Sequence, residues 1–307
     1  MKTLQFIRSF LVRPLLISAA CITALSGIPA AHAADGPTAA EYGVVLNLSG
    51  RQRMLTQKMS KEAVLVALEV DQSGNANNLK ATAALFNTTL KGLRDGDPAV
   101  GLPPTSSSRI LRQLDKIDKL WAEFRPAIDR ISANGSASQA DIAQIAQLNL
   151  PLLKEMNKAV GLYEKDASAN GLKADPALAA TINLSGKQRM LSQKMSKEFL
   201  LIAYGHEPED NKLNLLETYS LFERTLKGLL DGDDTLGLPG TSQPAIREQL
   251  GKVQAIWTEF KPMMEQAANP TTASISPSMV AKVAEINLPL LKEMNAAVKM
   301  YEQESAK

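Results

Sequence analysis

Apolar residues recur at helical spacing along residues 38–72. One narrow stripe, at 100° per residue, contains Leu48, Leu55, Met59 and Val66. This stripe predicts the core-facing side of an amphipathic helix. The opposite side combines a glycine, a methionine and aliphatic residues with polar ones: Gly50, Arg53, Met54, Gln57, Lys61, Val64 and Leu68, with Asn47 at its edge. Because a solvated face rarely has this composition, we expect the helix to be buried on two sides, the second against a helix outside its own bundle.

The same pattern returns after 136 residues. Residues 47–62, NLSGRQRMLTQKMSKE, recur at 183–198 as NLSGKQRMLSQKMSKE, with two of sixteen positions changed. After an insertion of two residues, the segment NLPLLKEMN at 149–157 recurs at 287–295. A repeat of this length indicates two copies of one domain. We place the copies at residues 35–168 and 172–305.

Each copy contains four helical stretches separated by stop and start residues. In the first copy they span 38–72 and 77–94, begin in the serine cluster at 106–108, and begin near 138. Gly74 and Gly96 end the first two stretches, and Ser138 can cap the fourth with Asp141. Short connections between long amphipathic helices predict an all-α protein with two tandem antiparallel four-helix bundles.

Residues 1–33 have the pattern of an export signal peptide. Three cations precede an apolar stretch at 15–25, and Ala31-His32-Ala33 supplies a small-x-small cleavage pattern. No later run approaches the ~20 apolar residues that span a bilayer. We expect a periplasmic protein with no membrane span after signal cleavage. The alternative, a lipoprotein anchored at Cys21, is disfavoured by the poor lipidation motif before that residue.

Composition excludes several classes of function. Lysine and arginine total 34 against 32 aspartate and glutamate, and no basic run occurs, so nucleic acid is not an expected partner. After removal of the signal, the chain keeps no cysteine and one histidine, His206, so no nucleophile with its base can be assembled. The acidic turns at 95–97 and 231–234 lack the ligand spacing of a calcium loop. We expect no enzyme, no cofactor and no metal.

Arginines occupy matching positions on the outer stripes of the two first helices. If these stripes face each other, Arg53 and Arg189 converge in a partly desolvated seam. Two guanidinium groups repel there, and a small anion between them would replace the repulsion with charge-assisted hydrogen bonds. Helix geometry alone leaves an alternative open, in which each arginine bonds to a carboxylate or carbonyl across the bundle.

The segment NLSGRQRMLTQKMSKE and its copy resemble the signature of the PilJ-type sensor domain, found at the front of type IV pilus methyl-accepting chemotaxis transducers. They are also similar to the P-box of the NarX and NarQ nitrate and nitrite sensor kinases. The resemblance covers essentially the whole mature chain. It implies periplasmic four-helix bundles in which nitrate is held between first helices by the arginine of the Arg-Met pair, here Arg53 and Arg189. The relatives continue into a transmembrane helix and a signalling module, whereas this chain stops at Lys307.

Residues and resemblance together suggest a soluble periplasmic sensor module for nitrate or nitrite, read by a membrane sensor kinase or chemoreceptor. The arginines would clamp the anion, the glycines would allow close approach and the amides would add donors. The predicted site residues are Asn47, Gly50, Arg53, Gln57, Asn183, Gly186, Arg189 and Gln193. The alternative is a ligand-free helical adaptor or structural protein that binds partner helices. In the sensor hypothesis, the two first helices pair either inside one chain or between the chains of a dimer.

Overall fold

The computed structural model describes residues 37–170 and 176–305, and within these ranges the chain is helical. Its α-helices there are α1 (Ala39–Ala67), α2 (Gln72–Asp95), α3 (Ser108–Asn134), α4 (Gln139–Ala169), α5 (Pro176–Tyr204), α6 (Pro208–Asp231), α7 (Pro244–Ala268) and α8 (Pro277–Ser305). The structure confirms the all-α fold. The predicted signal peptide at 1–33 lies outside the described residues. Across those ranges, no helix combines the length and apolar character that a bilayer crossing needs.

Helices α1 to α4 form one four-helix bundle, and α5 to α8 repeat the arrangement. In each bundle, neighbouring helices in the chain pack together and the last helix returns beside the first. The cores contain large apolar side chains, among them the fully buried Phe86, Phe124, Phe222 and Phe260. Trp121 and Trp257 lie beside Phe86 and Phe222, with ring centroids 4.7 and 4.9 Å apart. Both tryptophans therefore serve core packing.

Local capping chemistry explains several helix ends. The Ser138 hydroxyl accepts from the Asp141 backbone N–H at 3.1 Å, and the Asp141 carboxylate accepts from the Ser138 N–H at the same distance. This capping box starts α4 at the predicted place. Gly96 ends α2 with φ +85°, a conformation that favours glycine, and its N–H donates to the Gly92 carbonyl.

The predicted end of the first helix is wrong. Helix α1 stops at Ala67 instead of Gln72, and α2 begins at Gln72, so Gly74 lies inside α2 and does not end a helix. The turn between them uses Glu69 and Asp71 at φ +58° and +36°. Side chains rarely adopt this left-handed conformation, so no glycine marks the turn in the sequence. The second repeat has Gly205 at the position of Glu69, also at positive φ, and alignment of the repeats points to the true boundary.

Helix α1 packs against α5 as well as within its own bundle. Met59 and Val66 of the inner stripe are buried, and so are Met54 and Val64 of the outer stripe. The prediction that the first helix is buried on two sides is therefore confirmed. Its second partner is the first helix of the other repeat, in the same chain. This pairing brings the two copies of the repeated motif together.

Candidate functional site

Gly50 and Gly186 occupy equivalent buried positions on α1 and α5. A Cβ built on Gly186 would lie 3.6 Å from Nη2 of Arg189 and 3.9 Å from Nη2 of Arg53. A Cβ on Gly50 would lie 3.5 Å from Nη2 of Arg53. The two Nη2 atoms are therefore at most about 7.5 Å apart, the sum of the two distances measured from Gly186. The missing side chains leave room for both guanidinium groups at the seam between α1 and α5.

The seam holds two buried like charges. Arg53 is 4% exposed and Arg189 is 7% exposed. Burial lowers the pKa of Arg53 to about 10; Glu164 opposes this effect, and the charge of Arg189 adds to it. Burial also lowers the pKa of Arg189, while Glu302 opposes the shift. Both guanidinium groups carry their positive charge at neutral pH, because arginine keeps its proton in proteins.

The two halves of the seam differ in their hydrogen bonds. Nη1 and Nη2 of Arg53 both donate to Oδ1 of Asn183 at 3.3 Å. In the other half, Asn47 donates through Nδ2 to Glu302 at 3.4 Å. Oδ1 of Asn47 and Nε of Arg189 are buried and have no hydrogen-bond partner among the described residues. Because buried polar atoms are normally paired, these two atoms are the ones in the seam that can bond to a further group.

Gln57 and Gln193 lie one turn beyond the arginines, and both are fully buried. Their Nε2 atoms donate to the neighbouring hydroxyl groups of Thr56 and Ser192, at 3.0 and 3.3 Å. Their Oε1 atoms have no partner within the described part of the chain. The side-chain amide of each glutamine thus donates to the residue that precedes it in the chain. Of the eight predicted site residues, two are the arginine pair and four, the asparagines and the glycines, lie beside it, whereas the two glutamines do not present donors to it.

Buried lysines cross from one repeat to the other, a feature that sequence reasoning missed. Nζ of Lys61 donates to Oδ1 of Asn287 at 2.7 Å, and Nζ of Lys197 donates to Oδ1 of Asn149 at 3.1 Å. The asparagine amides return to the first helix of their own repeat, at Thr56 and Ser60 or Ser192 and Ser196. Burial lowers the pKa of both lysines to about 8. The exact recurrence of the NLPLLKEMN segment was the available clue to the asparagines.

No three histidine, cysteine, aspartate or glutamate side chains come together to hold a metal ion within residues 37–170 and 176–305. The groups that converge in the site are the hydrogen-bond donors of Arg53 and Arg189. The guanidinium groups of Arg53 and Arg189 lie between α1 and α5, beside two asparagines and two glycines. Such an arrangement suits a small planar acceptor with negative charge.

A curated relative and a solved structure are similar to part of this chain. The methyl-accepting chemotaxis protein McpN of Pseudomonas aeruginosa is 33% identical over 124 residues, which are 40% of this chain and 22% of the relative. The chain thus spans about a fifth of that relative's length. The ligand-binding domain of the P. aeruginosa nitrate receptor McpN is 30% identical, with 42% of this chain and 95% of that domain covered and a TM-score of 0.35.

The family comparison covers both repeats. The model for the PilJ family, described as the type IV pili methyl-accepting chemotaxis transducer N-terminal region, matches residues 39–148 and 175–278. The first matched segment covers α1 to α3 and the start of α4, and the second covers α5 to α7 and the start of α8. Each segment contains one copy of the motif. A sensory family of this kind confirms the expectation that the chain is not an enzyme. The chain therefore belongs to the PilJ family of chemotaxis-transducer sensor domains.

Proposed function

We propose that this protein is a sensor module that binds a small oxyanion, nitrate or nitrite, between α1 and α5 of a single chain. The observation that carries the proposal is the pair of buried guanidinium groups over Gly50 and Gly186. In this proposal Arg53 and Arg189 clamp the anion and the glycines allow its close approach. Asn183 orients Arg53 through two hydrogen bonds, and Asn47 lies on the Arg189 side of the site.

The size of the gap supports a small ligand. Two charge-assisted hydrogen bonds of about 2.8 Å to different oxygens of one oxyanion span roughly 7 to 8 Å. The separation of the two Nη2 atoms, at most about 7.5 Å, is compatible with that span. An anion there would also offset the repulsion between the charges of Arg53 and Arg189.

The relative supports the choice of ligand class. The P. aeruginosa relative McpN is a nitrate receptor, and its ligand-binding domain is similar to this chain at 30% identity. Because the similarity extends to one domain of that receptor, transfer of the nitrate ligand to this chain is part of our proposal. We also infer export through residues 1–33 to the periplasm. There the liganded form would be read by a membrane chemoreceptor or sensor kinase of chemotaxis or type IV pilus signalling.

Calorimetric titration tests the proposal. The mature protein is titrated with nitrate, nitrite, sulfate and chloride, and saturable binding of nitrate or nitrite is expected. Arg53→Lys keeps the positive charge but loses the bidentate fork, so its affinity should fall clearly while its helical circular dichroism is unchanged. Equal affinities for wild type, Arg53→Lys and Arg53→Ala would place the site elsewhere. Absence of binding by all four anions would favour the ligand-free helical adaptor.

A further inference from the structure

A groove of about 610 Å³ lies between α1, α2 and α8 and extends to Arg189 on α5. Fourteen residues line it, among them the cations Arg51, Lys58, Arg189 and Lys299 and the carboxylate Glu302. Lys299 is exposed at the surface, whereas Arg189 is the buried cation of the set. The groove therefore leads from a surface lysine towards the arginine pair.

Unpaired polar atoms line this groove. Oδ1 of Asn47, Nε of Arg51 and Nε of Arg189 are all buried without a hydrogen-bond partner in the described part of the chain. In contrast, the guanidinium group of Arg53 is held by two hydrogen bonds to Asn183. The half of the seam with unused donors is thus the half that the groove reaches.

Charge differs between this groove and the equivalent positions of the other repeat. Eleven of the fourteen lining residues are identical to their counterparts. The exceptions are Arg51, Ala81 and Lys299, which correspond to Lys187, Glu217 and Gly161. The groove has four cations and one carboxylate, a formal charge of +3, whereas the counterpart positions have three cations and two carboxylates, a formal charge of +1. The groove beside Arg189 is therefore more positive than the equivalent surface of the other repeat.

We propose that the anion enters and leaves the seam through this groove, and that Lys299 at its rim accelerates the association. This inference rests on the proposed function, because it presumes that the arginine pair binds an anion. A rim cation raises the local concentration of anions and mainly changes the association rate. Arg189, at the buried end, would make the first contact, and Arg53 would close on the anion from the other half.

The entrance is tested by moving the lysine from position 299 to position 161, its equivalent in the other repeat. The variants are Lys299→Ala, Gly161→Lys and the double variant, which has the net charge of the wild type. A Cβ at Gly161 would meet no atom within 4 Å, so the new side chain fits without strain. NMR line shapes recorded during nitrate titration at low ionic strength give the association and dissociation rates separately. Circular dichroism checks that each variant is folded.

We expect Lys299→Ala to lower the association rate by about 3- to 10-fold with little change in dissociation. The double variant should also associate slowly with nitrate, because its lysine is at position 161, away from the groove. The difference in association rate between these variants and the wild type should disappear in high salt. Recovery of the wild-type rate by the double variant, or no slowing by Lys299→Ala, would refute the entrance while nitrate binding stands. If the wild type does not bind nitrate, the proposed function is refuted, and the entrance is refuted with it.

Discussion

Nζ of Lys61 donates a 2.7 Å hydrogen bond to Oδ1 of Asn287, which joins the first helix of one repeat to the last helix of the other. The equivalent bond from Lys197 to Asn149 runs in the opposite direction. All four side chains are buried. These buried hydrogen bonds add directional specificity to the apolar packing between the two repeats.

The lowered pKa values of Lys61 and Lys197 predict that the stability of the protein depends on pH above neutrality. Their pKa is about 8 in the folded protein and about 10.4 in an unfolded chain, so between these values the unfolded state binds more protons. The free energy of unfolding should therefore rise with pH above 8, by on the order of 1 kcal/mol per pH unit for each lysine. Urea unfolding between pH 7.5 and 9.5 measures the slope.

A variant pair isolates this contribution. The double variant Lys61→Met with Lys197→Met should lose most of the rise in stability, because neither site can then release a proton. Lys80→Met, at an exposed position on α2, is the matched control and should keep the wild-type slope. A double variant with the same slope as the wild type would show that other groups cause the dependence.

Removal of one seam arginine should stabilise the protein when no anion is present. Arg189→Met takes away one of two buried like charges, and the lost Nε–H has no partner among the described residues. We expect the free energy of unfolding to rise by about 1 kcal/mol. Millimolar nitrate, which should raise the Tm of the wild type, should have no effect on this variant.

Arg94→Met provides the control for the arginine substitution. Arg94 forms ion pairs with Asp115 and Asp118 far along the chain from the motif, and it is partly exposed. This variant should keep the nitrate-dependent increase in Tm. A lower stability of Arg189→Met without anion, or a nitrate response equal to that of the wild type, would contradict the assignment of this arginine.

The glycine at the seam should tolerate only the smallest side chain. In Gly186→Ala the new Cβ would lie 3.6 and 3.9 Å from the two guanidinium groups, ordinary contact distances, so binding should change little. In Gly186→Leu the longer side chain would occupy the gap, and nitrate binding should be lost. Gly251→Leu on α7, where a Cβ meets no atom within 4 Å, is the control and should bind normally. Binding by Gly186→Leu at wild-type affinity would exclude the seam as the site.

The pairing of α1 with α5 in one chain predicts the stoichiometry. Sedimentation combined with titration should find a monomer that binds one anion per chain. Arg53→Ala and Arg189→Ala should each weaken binding at least tenfold, about 1.4 kcal/mol, because both forks contact the same ligand. A stable dimer with one anion per chain, or full affinity in Arg189→Ala, would contradict a shared intramolecular site.

Much of the architecture was predictable because it depends on local periodicity and on repetition. The apolar spacing indicated the helices, the 136-residue offset indicated two copies, and the odd composition of the outer stripe indicated a second buried face. Ser138 and Gly96 marked helix ends because capping acts within a few residues. The turn at 68–71 was missed because Glu69 and Asp71 adopt a backbone conformation that their side chains do not normally favour.

The sequence by itself determined the helices, the duplication and the equivalence of Arg53 with Arg189, since each follows from residue identity and spacing. Only the tertiary structure decided that α1 pairs with α5 in the same chain. It also decided that Arg53 bonds to Asn183, while Nε of Arg189 has no partner among the described residues. It also decided that the buried lysines reach across to the other repeat. Near-identical motifs cannot reveal such differences, because hydrogen bonding and burial depend on neighbours that are distant in the chain.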